Sequence, residues 1–295
     1  VIHRLIPSIE FAWLKNIDFF PARPNPVTRI GEFREICIGT KSRNLGDALA
    51  LSSLPGKLRA RYPDLRVTTY PRGFNPVVFE GNPHVTGVSY LPDRVWGDDC
   101  NEGAGQLIQR KEQFFGLDSG PESRPEIHLS TLEWAWARRF VTQRTFVENA
   151  TKPLVVIHPW GNTNSEIAPV EFWDEVIRRW KDRIRFWQVG IYKQGAVQGC
   201  EYYFFQEPAR WNARRLFALV SQAHGFMGVD SGPMHVARAF SVSSCVLTNA
   251  SLIEASPKTA TLYPANKNVE AHDLKRAAAE LDEYFGRVQS LSWKH

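Results

Sequence analysis

The sequence predicts an α/β protein built from two halves, each with a parallel β-sheet, facing each other across a cleft. Three observations carry this expectation. Short apolar runs alternate with helix-length segments, the pattern of strands joined by crossover helices and therefore of parallel sheets. The alternation occurs twice, from about residue 34 and again, more regularly, from residue 154, with a linker at Asn149–Pro153 between them. The length of 295 residues suits two modest domains at roughly 100–200 residues each. The division expected is residues 1–150 and 151–295.

The elements follow in chain order. Residues 1–30 are irregular, broken by Pro21, Pro24 and Pro26. Arg34–Thr40 reads as a short buried strand that runs into the polar turn 41–46. A helix over Asp47–Arg61 places Leu51, Leu54 and Leu58 near helical spacing, with Pro55 expected to kink it or shift its start. Leu65–Tyr70 is a second strand, completing a β-α-β unit, and Gly87–Leu91 a third. Gly97–Gly105 is turn-rich and reads as a loop, while Gln106–Phe115 and Thr131–Val147 read as helices. In the second half, strands are expected at Leu154–His158, Ile184–Val189 (ending at Gly190), Phe226–Val229 and Ser244–Thr248. Helices are expected at Pro169–Lys181, Asn212–Ala223 (with Asn212 as N-cap), Gly232–Phe240 and, amphipathic, Asp273–Val288. Two such halves form two Rossmann-like domains. In open parallel sheets ligands bind outside the carboxyl ends of the strands, so the turns after strands are where chemistry belongs.

Composition bounds the function. Hydrophobic residues at 43% and charged residues at 23% exclude a mostly disordered chain. No apolar run reaches the roughly 18 residues of a membrane span, and residues 1–26 show no secretory pattern. Thirty-six basic against thirty-one acidic residues leave a net charge of +5, a mild excess that suits an anionic substrate, a phosphate-rich surface or nucleic acid without choosing among them. The cysteines, Cys37, Cys100, Cys200 and Cys245, have no metal or disulfide spacing. A reduced, cytoplasmic compartment is the expectation.

Three segments could carry chemistry. In Gly228–His235 (GVDSGPMH) a strand end is followed by a carboxylate, a hydroxyl and a glycine that opens a helix. Free N–H groups at that helix start favour a phosphate. Asp230 could hold sugar hydroxyls, and His235 could donate to a diphosphate. An ordinary junction, with Asp230 or Ser231 as N-cap and His235 packed, would read the same. In Ser42–Pro55 (SRNLGDALALSSLP), Gly46–Asp47 sits at a strand-to-helix turn, where Asp47 could take a proton from an attacking hydroxyl or simply cap the helix and favour its dipole. Lys41 and Arg43 beside it could meet an anionic acceptor or form a solvated turn. In His158–Asn164 (HPWGNTN) glycine and small polar residues can approach a diphosphate, or make a plain loop. Gly190 is a weaker instance of the same kind. There is no GxxxxGK[ST], no GxGxxG after a strand and no GxSxG, which argues against a P-loop nucleotidase, a dinucleotide-dependent dehydrogenase and a serine hydrolase. The acidic pair Asp98–Asp99 lacks the flanking strand of a metal-binding DxD motif, so no metal is expected.

Three blocks together resemble glycosyltransferase family 9, the bacterial heptosyltransferases: NLGDALALSSLPGKLRARYPDLRV, PLVVIHPWGNTNSEIAPVEFWDEVI and LFALVSQAHGFMGVDSGPMHVARAF. They cover about residues 35–70 and 153–249. The resemblance implies a GT-B architecture, with an acceptor-binding domain in residues 1–150 and a nucleotide-sugar-binding domain with a terminal helix in 151–295. It implies an inverting, metal-independent sugar transfer from a nucleotide diphosphate, an ADP-linked heptose, with no separate cofactor. The acceptor implied is an anionic glycan such as inner-core lipopolysaccharide, met in the cytoplasm or at the inner membrane surface. On that pattern Asp47 is the general base, Asp230, Ser231, Gly232 and His235 hold the donor's sugar and diphosphate, and Asn162 and Thr163 add contacts to the phosphates. Gly190 on the donor side, and Lys41 and Arg43 on the acceptor side, remain candidates from the residues alone. Two departures stand out. The family's lysine before Trp-Pro is absent from Ser165–Pro169, so neutralising the leaving group falls to His235, Lys193 or a helix N-terminus. Ile191–Gln194 also lacks the family's acidic residue. Competing readings are a GT-B scaffold that binds a nucleotide or glycan without turnover, an epimerase of the same fold, and a transferase acting on a protein or on modified nucleic acid, although no nucleic-acid module is present.

Overall fold

The computed structural model describes residues 30–40, 42, 44–89, 95–96, 107–143, 151–161, 168–191, 196–205, 210–248, 267–270 and 274–291. The expected loop at 97–105 and the linker residues 149 and 150 lie outside them.

Two separate parallel sheets are present. The first contains β1 (Glu35–Ile38), β2 (Arg66–Thr69), β3 (Gly87–Val88) and β4 (Val95–Trp96), in the order β3-β2-β1-β4. Its helices are α1 (Leu45–Ala50), α2 (Leu54–Arg61), α3 (Asn75–Val78) and α4 (Leu107–Phe114). The second sheet contains β5 (Leu154–His158), β6 (Arg185–Ile191), β7 (Glu201–Phe205), β8 (Gly225–Val229), β9 (Ser243–Thr248) and β10 (Lys267–Glu270). Its order is β10-β9-β8-β5-β6-β7, parallel throughout. Numbered along the chain, this is the doubly wound 3-2-1-4-5-6 order, and the first sheet has its opening 3-2-1-4 portion. Both sheets therefore have a switch point, between β1 and β4 and between β5 and β8. The remaining helices are α5 (Thr131–Gln143), α6 (Val170–Trp180), α7 (Arg210–Ser221), α8 (Gly232–Ala239) and α9 (Leu274–Ser290).

Most expected elements are found, and the differences have physical causes. The single helix expected over 47–61 is two. Pro55 sits in the first turn of α2, where a missing N–H costs nothing. Continued through it, one helix would lack the Pro55 bond to Leu51. Instead the chain turns at Leu51–Ser53, held by N–H bonds from Leu51 to Ala48 O, Ser52 to Leu49 O and Leu54 to Leu51 O. Asn212 does not cap α7; it lies inside the first turn of a helix already running at Arg210. Gly190 does not end its strand, because β6 continues through Ile191 with Gly190 opposite Phe204 on β7. Strands β4 and β10 and helix α3 were not expected, and neither was strand β7. Its Glu201 takes two hydrogen bonds from Arg185 (2.9 and 3.1 Å) and one from Trp187 Nε1 (2.7 Å), which ties this edge strand to β6.

Packing explains how the halves stay together. One face of the second sheet is covered by α6 and α9, through Phe172, Trp173, Trp180, Leu281, Phe285 and neighbours. The terminal helix thus lies on the second sheet. Tyr284 places its hydroxyl 2.9 Å from Phe226 O and 3.0 Å from Ser243 O, and a Cβ on Gly225 would come within 2.6 Å of it. On the other face, one apolar cluster unites Ala48 and Leu49 of α1 and Val77 and Val78 of α3 with Phe217, Val220, Met234 and Ala237 of α7 and α8. Helix α5, although within residues 1–150, packs on α7, and its Phe140 ring meets Trp187 of β6 edge-on at 5.6 Å.

Arg214 fastens this junction. Its side chain is 6% exposed and makes a two-pronged pair with Glu133 of α5 (Nε 2.6 Å, Nη2 2.7 Å). The same guanidinium donates to the carbonyls of Val77, Glu80 and His128 (3.3, 3.4 and 2.6 Å). Burial raises the Glu133 carboxyl, but hydrogen bonds from Arg214 and Ser130 outweigh it and hold the group below its ordinary range. Arg214→Met, which strands the carboxylate and three carbonyls, is expected to lower unfolding free energy by about 3 kcal/mol in urea denaturation. Arg214→Lys keeps the charge without the fork and is expected to lose about 1–2 kcal/mol.

Candidate active site at the junction of the two sheets

The first half contributes the carboxyl end of β1. A Cβ on Gly39 would lie 2.6 Å from Tyr70 Cβ, so only glycine allows the strand to leave the sheet here. Thr40 is then clamped by Asn75: its N–H donates to Asn75 Oδ1 (3.1 Å) and its carbonyl accepts from Asn75 Nδ2 (2.9 Å). Ser42 N–H bonds to Thr40 Oγ1 and Asn44 N–H to Ser42 Oγ, a pair of local turns that delivers the chain to α1. Asn44 is the N-cap residue, and Asp47 is the third residue of the helix. Asp47 is therefore partly exposed in the first turn rather than capping it.

The second half contributes β5, β8 and the start of α8. Ser231 is the N-cap residue of α8, yet its hydroxyl does not cap. It lies 3.0 Å from Val229 O and 3.1 Å from His158 Nδ1 at the end of β5. A Cβ on Gly228 would meet His158 O at 2.7 Å, so a glycine lets the two strand ends approach. His158 is 7% exposed, and burial pushes its imidazole down to about 4. His235, in the first turn of α8, is 4% exposed. Burial lowers its imidazole too, against the opposing pull of Asp230 and Asp47.

The two halves meet at backbone distance. A Cβ on Gly232 would lie 2.9 Å from Leu45 Cβ, and one on Gly46 would lie 3.2 Å from His235 Cδ2. The first turns of α1 and α8 thus abut, with the His235 ring against the Gly46 backbone and within electrostatic reach of a carboxylate from each half. Two helix N-termini at one place bring partial positive charge together, which suits an anion, although Met234 and His235 N–H already bond to Ser231 O and Pro233 has no N–H. Among the described residues no group of three or more His, Cys, Asp or Glu side chains could hold a metal ion.

The structure therefore brings together Asp47, Asp230, Ser231, Gly232 and His235 from separate sequence blocks. Lys41, Arg43, Asn162 and Thr163 lie outside the described residues, as do Glu166 and Lys193. Gly190 is the penultimate residue of β6, paired with Phe204 of β7 near the carboxyl end of the strand rather than in the turn after it. Sequence reasoning did not single out His158 or Gly228, though a histidine ending an apolar strand, and a glycine two residues before an Asp-Ser-Gly turn, were visible signs. Nor did it find Asn75, a side chain supporting β1 from 35 residues away.

Two outcomes are expected. Gly228→Ala forces a methyl against a backbone carbonyl and should lower stability by about 1–3 kcal/mol in urea denaturation. His158 binds fewer protons folded than unfolded between its ordinary pKa and about 4. Stability should therefore fall as pH drops through that window, by about 3 kcal/mol in full. His158→Asn should lose that part of the acid sensitivity, read as the difference between the two stability–pH curves.

Comparisons with known proteins bear on the fold. No protein-family model matches the sequence, and the search of curated proteins found no match. Solved structures do match. The chain is similar to ADP-heptose lipopolysaccharide heptosyltransferase II of E. coli, with a TM-score of 0.63 and 14% identity over 88% of this chain and 100% of that one. It is also similar to a family 9 glycosyl transferase from Veillonella parvula (TM-score 0.62, 13% identity, 89% and 94% covered). A third match is the E. coli heptosyltransferase WaaC, solved with ADP (TM-score 0.52, 12% identity, 87% and 100% covered). Among the described residues no helix is long and apolar enough to cross a membrane. The two parallel sheets, their strand orders and these likenesses over most of the chain establish the GT-B fold.

Proposed function

We propose that the protein is an inverting, metal-independent glycosyltransferase that moves a sugar, an ADP-linked heptose, to a hydroxyl of an anionic glycan such as inner-core lipopolysaccharide. The observation that carries the reading is the convergence of Asp47 from one half with Asp230, Ser231 and His235 from the other where two helix N-termini abut. A binding module has no need of a carboxylate opposite its anion site. The likeness to heptosyltransferases, one of them solved with ADP, supports the substrate class.

In this mechanism the acceptor hydroxyl gives its proton to Asp47 as its oxygen attacks the anomeric carbon. The bond from that carbon to the diphosphate breaks on the opposite face, and the electron pair leaves with the diphosphate. Charge on the leaving group is met by the α8 N-terminus and His235, which are already in place before reaction. Asp230 and Ser231 hold donor hydroxyls, Gly232 lets the diphosphate approach the backbone, and Asn162, Thr163 and Gly190 complete the donor side. Lys41 and Arg43 attract the acceptor. In this reading residues 1–150 bind acceptor and 151–295 bind donor, in the cytoplasm or at the inner face of the inner membrane.

Titration calorimetry with ADP, UDP, GDP and CDP, without added metal, is expected to show selective binding of ADP, weakened in His235→Ala. With ADP-heptose and a lipopolysaccharide acceptor, Asp47→Asn should lower the transfer rate by about 10²–10⁴-fold and leave ADP affinity within about twofold. Unchanged transfer would remove Asp47 as the base. Nucleotide binding with no transfer by the unaltered chain would favour the non-catalytic scaffold.

A further inference from the structure

The Ser231 hydroxyl has one proton and two neighbours that could take it, Val229 O at 3.0 Å and His158 Nδ1 at 3.1 Å. A carbonyl oxygen can only accept, whereas an imidazole nitrogen can donate or accept according to its tautomer. Both contacts are satisfied in one arrangement alone: Ser231 donates to Val229 O, and His158 Nδ1–H donates to Ser231 Oγ. The opposite tautomer faces the hydroxyl with two acceptors and leaves one unmet. Burial keeps the ring neutral, as its low pKa of about 4 requires, so the proton on Nδ1 is the ring's only one. Nε2 is then a fixed lone pair, and the described residues give it no hydrogen-bond partner.

The position of this ring matters. β5 and β8 are neighbours in the sheet, with His158 opposite Gly228, and they flank the switch point of the 3-2-1-4-5-6 order. The Ser231–His158 bond spans the carboxyl ends of the two strands, the place where such sheets bind ligands. A lone pair repels a diphosphate oxygen and accepts from a hydroxyl. We propose that His158 reads a hydroxyl of the nucleotide-sugar donor, accepting it at Nε2 while Ser231 and Val229 O fix the ring's tautomer and direction. This assigns the strand end to a hydroxyl and leaves the diphosphate to the helix N-terminus beside it. The assignment rests on the donor site proposed above.

Two substitutions separate the ring's two nitrogens. His158→Asn keeps a donor near the Nδ1 position and removes the Nε2 acceptor; His158→Gln extends a polar group to about where Nε2 stood. Affinities of the unaltered chain and both variants are measured by calorimetry for ADP, ADP-glucose, 2′-deoxy-ADP and 3′-deoxy-ADP. His158→Asn is expected to weaken binding about tenfold, with His158→Gln recovering most of it. A weakening seen with ADP, and absent when one ribose hydroxyl is already missing, places the contact on the ribose. A weakening seen with ADP-glucose alone places it on the sugar. Affinities of His158→Asn within twofold of the unaltered chain for every probe overturn the contact and leave the donor site standing. Failure of the unaltered chain to bind any probe overturns donor site and contact together. Imidazole nitrogen NMR of the free protein gives a readout independent of ligand: a proton on Nδ1 is expected, and a proton on Nε2 overturns the proposal.

Discussion

The arrangement depends on one buried guanidinium. Arg214 satisfies Glu133, the carbonyls of Val77 and Glu80 in the first half, and the carbonyl of His128 in the segment that leads from one half to the other. Five donors in a rigid plane suit that set, whereas a lysine would offer three from a point. With the α3 region, the crossing segment and α5 all referred to α7, the distance between α1 and α8 is fixed as well, because α3 and α1 share an apolar cluster with α7 and α8. The close approach of Gly232 to Leu45, and of His235 to Gly46, follows from that constraint.

The residues at the junction divide their tasks by chemistry. Glycine is used where backbones must approach: Gly39 beside Tyr70, Gly228 beside His158, and Gly232 beside Leu45. Hydroxyls and amides are used where a turn must hold one shape, as at Thr40, Ser42 and Asn75. The titratable groups, Asp47, Asp230, His158 and His235, come last, on strand ends and first helical turns whose positions the other residues have already set. The two histidines share a buried environment but differ in company: His235 has carboxylates near it, and the ring of His158 meets a hydroxyl.

Much of this was legible in the sequence. Repeated strand-turn-helix segments are periodic, and periodicity survives without a partner, so seven of the ten described strands and most helices could be placed from residues alone. Asp47 and the 230–235 block stood out because a carboxylate at a strand-to-helix turn and a glycine-opened helix are local patterns. What stayed hidden is what depends on contact. Strand β7 lacks alternation and is identified as a strand by pairing with β6. The end of β6 moved past Gly190 for the same reason. Asn212 has the chemistry of an N-cap, but α7 is already running at Arg210, and propensity yielded to the surrounding chain. The roles of Arg214 and Asn75 are long-range throughout, with partners up to 137 residues away, and no window of sequence holds both ends.

The apolar cluster that joins the halves has a consequence for how the chain is made. Ala48, Leu49, Val77 and Val78 are synthesised before the residues of α7 and α8 that share their cluster, well over a hundred positions later. Domains generally fold as units during synthesis, the N-terminal one first. Here the first half can close its own cluster around Ile36, Leu54 and Val67, but the face that α1 and α3 turn towards the second half stays uncovered until the ribosome has passed Ala237. The nascent chain therefore carries an exposed apolar strip while the residues between α3 and α8 are made, a target for holding chaperones that the finished molecule no longer displays.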